Sequence, residues 1–197
     1  MNKELKKNLI QFGAIGAVII ALFVTGLHAE VFGFLQRGVL ATGLMKPITE
    51  EKAEIAAVTP TKGAVMDLNL INSKGEKVNM KEFKGKVIFL NFWATWCPPC
   101  IAEMPGINNL YGEVKDDNVE FVMLSLDENF EKAKNFREKK GFDFEIYRLA
   151  GPVPQMYSTR SIPTTYVIDA EGNLALTHMG MGDFDNKDFK QFLKKLQ

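Results

Sequence analysis

The chain has 197 residues, 46% of them apolar and 24% charged, and its 24 basic and 24 acidic side chains cancel. Nothing in the charge pattern resembles a nucleic-acid footprint, which needs a clustered basic face. Length and apolar content together fit one globular domain with an extension.

Leu9 to Leu27 carries no charge and is interrupted only by Gln11 and Thr25 among apolar and glycine residues. As a helix it would span about 28 Å, close to the roughly 30 Å hydrocarbon core of a bilayer. Lys3, Lys6 and Lys7 precede it, which orients the N-terminus to the cytoplasm. A cleaved signal peptide is the rival, but its apolar region is usually shorter, and Leu27 is bulky where a small residue is preferred before the exit at Ala29. Either way the remainder of the chain is exported. From Glu30 to Leu44, Val31, Phe34, Leu35, Val39 and Leu40 fall near helical spacing, weakened by Gly33, Gly38 and Gly43. This stretch reads as an amphipathic surface helix, a continuation of the anchor, or a helix packed on the domain. Pro47 to Pro60 reads as a polar tether. The expected organisation is therefore 1–29 cytoplasmic tip and membrane anchor (or signal peptide), 30–63 amphipathic segment and linker, and 64–197 a folded domain. On this reading no active-site element lies in residues 1–45.

Val65 to Leu70 and Lys77-Val78, joined around Asn72-Ser73-Lys74-Gly75, predict a hairpin. Lys86 to Ala94 is an apolar run of the kind buried on both faces of a sheet. A helix follows Cys97, since prolines suit a first turn whose backbone donors have no intrahelical partner. Its stripe is Cys100, Met104, Ile107, Tyr111 and Val114, and Pro105 should kink it. Then come a strand at Val119–Leu126, a helix from Phe130 to Lys140 stopped by Gly141, and a short strand at Phe144–Leu149. A loop or single turn at Pro152–Ser158 and a hairpin, Thr164–Asp169 with Leu174–Met179, follow. A last helix, capped by Asp185, carries Phe189, Phe192, Leu193 and Leu196. The order predicts an α/β fold, a mixed central sheet flanked by helices.

The two cysteines are Cys97 and Cys100, in Trp96-Cys97-Pro98-Pro99-Cys100. A disulfide closing so short a loop removes little entropy from the unfolded chain, so its use is to open and close rather than to brace. Cys-x-x-Cys beside a βαβ pattern reads as a redox motif. A zinc site would need His28 and His178 as further ligands, and neither shows ligand spacing. Inert buried thiols are the remaining reading, opposed by the surrounding prolines and tryptophan. Cys97, where the helix begins, would face unpaired N–H groups and the positive end of the dipole, which lowers a thiol pKa and marks the attacking sulfur. Cys100, one turn inside, is the natural resolving thiol. Pro98 and Pro99 remove two of those N–H groups and stiffen the loop, with opposed effects on the potential. Trp96 reads as a partly exposed wall of the site, Trp93 as core.

Phe92-Trp93-Ala94-Thr95-Trp96-Cys97-Pro98-Pro99-Cys100, Glu103-Met104-Pro105, Ser161-Ile162-Pro163-Thr164-Thr165 and the KGKVIFLNFW run together resemble the thioredoxin fold. More narrowly they resemble the TlpA/ResA-like, membrane-anchored thiol–disulfide oxidoreductases of bacteria, over about residues 64–197. The resemblance implies a cis Ile162–Pro163 bond beside Cys97, with Trp96, Ile162 and Pro163 contacting an extended substrate. It implies a role for Glu103 near the cysteines, as a buried proton shuttle rather than a solvated helix residue. Many thioredoxins carry an acid where Asn91 stands, so that role is vacant here. It also implies a domain on the extracytoplasmic side of the inner membrane, no cofactor beyond the Cys97–Cys100 disulfide, and reduction of exported disulfide-containing proteins. Electrons would come from a membrane donor, with cytochrome c maturation as one use. A peroxiredoxin-type peroxidase and a Sco-type copper-delivery protein are the alternatives. The first usually has Thr-x-x-Cys where this chain has Thr95-Trp96-Cys97, and the second Cys-x-x-x-Cys with a histidine.

Overall fold

The computed structural model describes residues 3–25, 31, 33, 36, 38, 63, 64, 66–158 and 160–197. The elements are α1 (Lys3–Val24), β1 (Asn69–Asn72), β2 (Lys77–Asn79), β3 (Val87–Trp93), α2 (Pro98–Val114), β4 (Val119–Ser125), α3 (Phe130–Lys140), β5 (Ile146–Leu149), β6 (Thr164–Ile168), β7 (Leu174–Met179) and α4 (Lys187–Lys195), with short 3-10 turns at Met80–Phe83 and Gln155–Tyr157. One seven-stranded sheet runs in the order β2-β1-β5-β4-β3-β6-β7. β4 lies parallel to both β3 and β5, and the other pairs are antiparallel. This is a thioredoxin-like α/β fold.

β3 is buried at all seven positions, as the unbroken apolar run requires, and its alternation divides the core. Val87, Phe89 and Trp93 face a cluster built with Ile107 and Leu110 of α2, Phe136 of α3 and Phe189 and Phe192 of α4. Ile88, Leu90 and Phe92 face a second cluster with Leu68, Met80, Tyr157 and Tyr166. The flanking is uneven. α2, α3 and α4 supply the first cluster, while the two 3-10 turns contribute Met80 and Tyr157 to the second. Asn91 has the parity of the first face, and so do Thr165, opposite it on β6, and His178, opposite Thr165 on β7.

α2 runs as one helix through Pro105. One local expectation changes. α4 is capped by Asn186, whose Oδ1 accepts the Phe189 N–H at 2.9 Å, because that side chain stands immediately before the first helical residue. Asp185 instead takes Lys190 at 2.7 Å and Asn109 at 2.9 Å. Gly141 ends α3 with φ +67°, as expected of a left-handed cap.

α1 opens with Lys3, Glu4, Lys6 and Lys7 and ends at Val24, so it contains only part of the predicted apolar span. Among the described residues no helix is long and apolar enough to cross a membrane. Leu27, the exit at His28-Ala29 and the Pro47–Pro60 tether lie outside the described residues, as does most of Glu30–Leu44.

Candidate active site

Strand β3 delivers the chain to the site, and Asp127 fixes the loop that follows it. The Asp127 carboxylate accepts the Thr95 N–H at 3.0 Å, the Thr95 hydroxyl at 2.6 Å and the Ser125 hydroxyl at 2.9 Å. Asp127 thus ties the turn before Trp96 to the end of β4. Composition offered no sign of this, although a threonine just ahead of the cysteines and Ser125-Leu126-Asp127 after a buried strand are legible in hindsight.

Cys97 and Cys100 form a disulfide at the start of α2, with Cα atoms 5.3 Å apart. Cys97 is the N-cap, Pro98 and Pro99 are the first two helical residues, and Cys97 Sγ accepts the Cys100 N–H at 3.3 Å. With the prolines lacking N–H groups, Cys100 supplies the first backbone donor of the helix to that sulfur. The Ile162–Pro163 bond is cis, and the Ile162 carbonyl oxygen lies 3.7 Å from Cys97 Sγ. Cys97 is 4% exposed and Cys100 0%, so both cysteines are buried in the disulfide. Trp96, in contrast, is 58% exposed. Met179, opposite Thr164 on β7, is also exposed. Trp93 is fully buried.

Glu103 is 2% exposed and is not a solvated helix residue. Its Oε1 accepts Asn91 Nδ2 at 2.9 Å, and its Oε2 accepts the Gly182 N–H at 3.0 Å. Asn91 Nδ2 also donates to Thr165 Oγ1 at 2.9 Å. The position read as a vacancy in β3 is therefore the residue that holds the carboxyl. Burial pushes the Glu103 pKa up to about 8, against the opposing pull of the Gly182 and Asn91 hydrogen bonds. At neutral pH the group is mainly the neutral acid.

This has a consequence for stability. The unfolded chain releases that proton near 4.5 and the folded chain near 8. Between those values the folded state binds more protons, so the contribution of Glu103 is complete below the lower value and is lost as pH rises through the upper one. The melting temperature of the wild type relative to Glu103→Gln is expected to fall as pH rises from 5 to 8; parallel melting curves would contradict it.

Gly182 is required by close approach. A Cβ there would lie 2.7 Å from Cζ and 2.9 Å from Cε2 of Phe184, a core ring. Gly182→Ala is expected to cost about 1–3 kcal/mol, the usual range for overpacking, and to draw the N–H away from Glu103. Urea denaturation measures the first effect.

The N-terminal segment also reaches the site. Gly33 is buried, and a Cβ on it would lie 3.1 Å from both the Pro98 carbonyl oxygen and Ile101 Cγ2. This glycine, within the stretch 1–45 expected to hold no active-site element, lets backbone approach the first turn of α2. Among the described residues no group of three or more His, Cys, Asp or Glu side chains could hold a metal ion.

Residues 61–177 match the AhpC/TSA family. The thiol-disulfide oxidoreductase ResA of Bacillus cereus is 34% identical over 98% of this chain and 99% of its own length. Two solved structures are similar: a Chlorobium tepidum protein assigned as thiol:disulfide interchange protein DsbE (26% identity, TM-score 0.62, 71% of this chain and 99% of that one), and StoA from Bacillus subtilis (27%, 0.54, 66% and 98%). Fold, dithiol and relatives define a thioredoxin-like thiol–disulfide oxidoreductase. The chain belongs to the AhpC/TSA family and, more narrowly, to the ResA-like thiol–disulfide oxidoreductases.

Proposed function

We propose that the chain is a membrane-tethered reductant of disulfides in exported proteins, with Cys97 as nucleophile and Cys100 as resolving thiol. One observation carries the reading: the Cys97 sulfur lies at the N-terminus of α2 with the Ile162 carbonyl 3.7 Å away. An extended substrate segment pairing with the Ile162 backbone would bring its own disulfide to that sulfur. The Cys97 thiolate attacks one substrate sulfur and the other leaves as a thiolate, giving a mixed disulfide. Cys100 then attacks Cys97 Sγ, closes the internal disulfide and releases the reduced substrate. Exposed Trp96 and buried Pro163 flank this path, while Pro98 and Pro99 set the helix start that faces the thiolate.

Glu103, held beside β3 by Asn91, accepts the Cys100 proton as that thiol becomes a nucleophile, and returns it when a thiol is re-formed. Its raised pKa suits exchange near neutral pH. The internal disulfide is reduced again by a membrane-embedded dithiol partner. Cytochrome c maturation, where haem attachment needs reduced cysteines, is one process that would use such a reductant.

The tether is the apolar run from Leu9 to Leu27. Ile10, Phe12, Val18, Ile20 and Val24 are exposed on α1, which supports a lipid-facing role, and the lysines ahead of it place the domain outside the cytoplasm. Carbonate-washed membranes are expected to retain the full chain; a mature soluble form beginning near Glu30 would replace the anchor by a signal peptide. Insulin-disulfide reduction by the purified protein tests the activity itself. Peroxide consumption without insulin reduction would favour the peroxidase, and stoichiometric copper without either activity the delivery protein.

A further inference from the structure

The Glu103 carboxyl receives two hydrogen bonds, from Asn91 Nδ2 and from the Gly182 N–H. Both partners are donors. A neutral carboxyl is itself a donor, and its O–H requires an acceptor when it is buried. Asn91 has already turned its Nδ2 toward Glu103 and Thr165, so its Oδ1, buried without a hydrogen-bond partner, faces away from the carboxyl. On the Oε2 side the structure offers His178. Its Nε2 is buried without a hydrogen-bond partner, and a Cβ on Gly182 would lie 3.1 Å from that nitrogen. The residue whose N–H binds Glu103 Oε2 is therefore also the residue against which the imidazole rests. Register agrees, since Asn91, Thr165 and His178 form one row across β3, β6 and β7 on the face covered by α2. Phe184 packs edge-on against the imidazole, with ring centroids 5.7 Å apart.

We propose that His178 is a positioning residue for Glu103, its neutral imidazole accepting through Nε2, across one water, the hydrogen bond that the acid form of Glu103 donates. The proposal rests on Glu103 acting as the proton carrier of the site. Burial keeps His178 below its ordinary pKa, against the hydrogen bond to the Met181 backbone, so the ring is neutral near pH 7, where Glu103 is mainly protonated. The titratable groups on the elements packed on this face are Glu103 and the cysteine pair on α2, and Asp183 and Asp185 on the segment leading to α4. Asp185 is engaged by Lys190 and Asn109. Thr165, the neighbour of His178 on β6, does not titrate. Protonation of His178 removes the acceptor, so the acid form of Glu103 loses its partner as pH falls through the histidine titration.

The test uses the reduced full-length chain and the pH profile of thiol alkylation. His178→Phe keeps a ring and removes the acceptor, whereas His178→Gln restores a carbonyl acceptor. Losing the acceptor weakens the acid form, so the inflection belonging to Glu103 is expected to move down by about half a unit to one unit in His178→Phe, the effect of one neutral hydrogen bond. His178→Gln should return it toward wild type, and His178→Phe should add nothing in a Glu103→Gln background. An unmoved inflection, or the same change in both backgrounds, would overturn the proposal. Nitrogen NMR gives a second readout in the unmutated site, because the chain has only two histidines. The His178 Nε2 resonance should follow Glu103 ionisation in the wild type and lose that inflection in Glu103→Gln; no response in the wild type would sink the coupling even if His178→Phe failed to fold. Should Glu103→Gln leave exchange rates unchanged while the resonance responds, the proton-carrier reading fails and the coupling stands.

Discussion

Cys97→Ser is expected to abolish disulfide reduction, by at least about a thousandfold, as loss of a nucleophile does. Cys100→Ser is expected to leave a protein that accumulates mixed disulfides with its substrates. The asymmetry follows from the start of α2. Cys97 Sγ receives the Cys100 N–H, the first backbone donor after two prolines, and sits at the positive end of the helix. Cys100 lies one turn inside and is fully buried. A thiolate formed at Cys97 keeps that N–H, and the Ile162 carbonyl, 3.7 Å away, marks where a substrate backbone would pair. Alkylation of the reduced protein near neutral pH should strike Cys97 first. Faster modification of Cys100 would reverse the two roles.

Glu103→Gln is expected to slow exchange by about 10- to 100-fold without unfolding the domain, at the weaker end of general acid–base assistance. The amide keeps the volume and can still accept the Gly182 N–H at its oxygen, but it cannot take up the Cys100 proton. The sign of the pH effect is set by burial. With its pKa pushed up to about 8, wild-type Glu103 is a proton donor below that value and an acceptor above it. The acceptor form that activates Cys100 therefore grows as pH rises toward 8, and the pH dependence of Cys100 reactivity should flatten in the variant. Unchanged rates across pH 5–9 with unchanged melting would leave Glu103 a structural residue.

The strands and helices of the domain were legible because their apolar periods are long and clean. β3 reads as buried on both faces from its composition alone, and the prolines after Cys97 mark the helix start. What escaped reading depends on contacts between distant segments. Asn91 looked like a missing acid because sequence shows only that it cannot titrate. Its role appears once α2 lays Glu103 against β3 and the segment after β7 supplies the Gly182 N–H. His178 was weighed only as a zinc ligand, since nothing near it in sequence indicates a partner on β6. Asp127 and Gly33 were missed for the same reason: one acts across to Thr95, the other against Pro98 and Ile101. Asp185 and Asn186 are both good caps, and only the observed first residue of α4 decides between them.

The reduction potential of the Cys97–Cys100 couple tests the central claim most directly. A reductant of exported proteins must hold its electrons at a potential low enough to pass them to substrate disulfides. The couple, equilibrated in glutathione or dithiothreitol buffers at pH 7, is expected near the thioredoxin value of about −270 mV. A value near the DsbA potential of about −120 mV would contradict the account, since the same dithiol would then be poised to make disulfides rather than to break them.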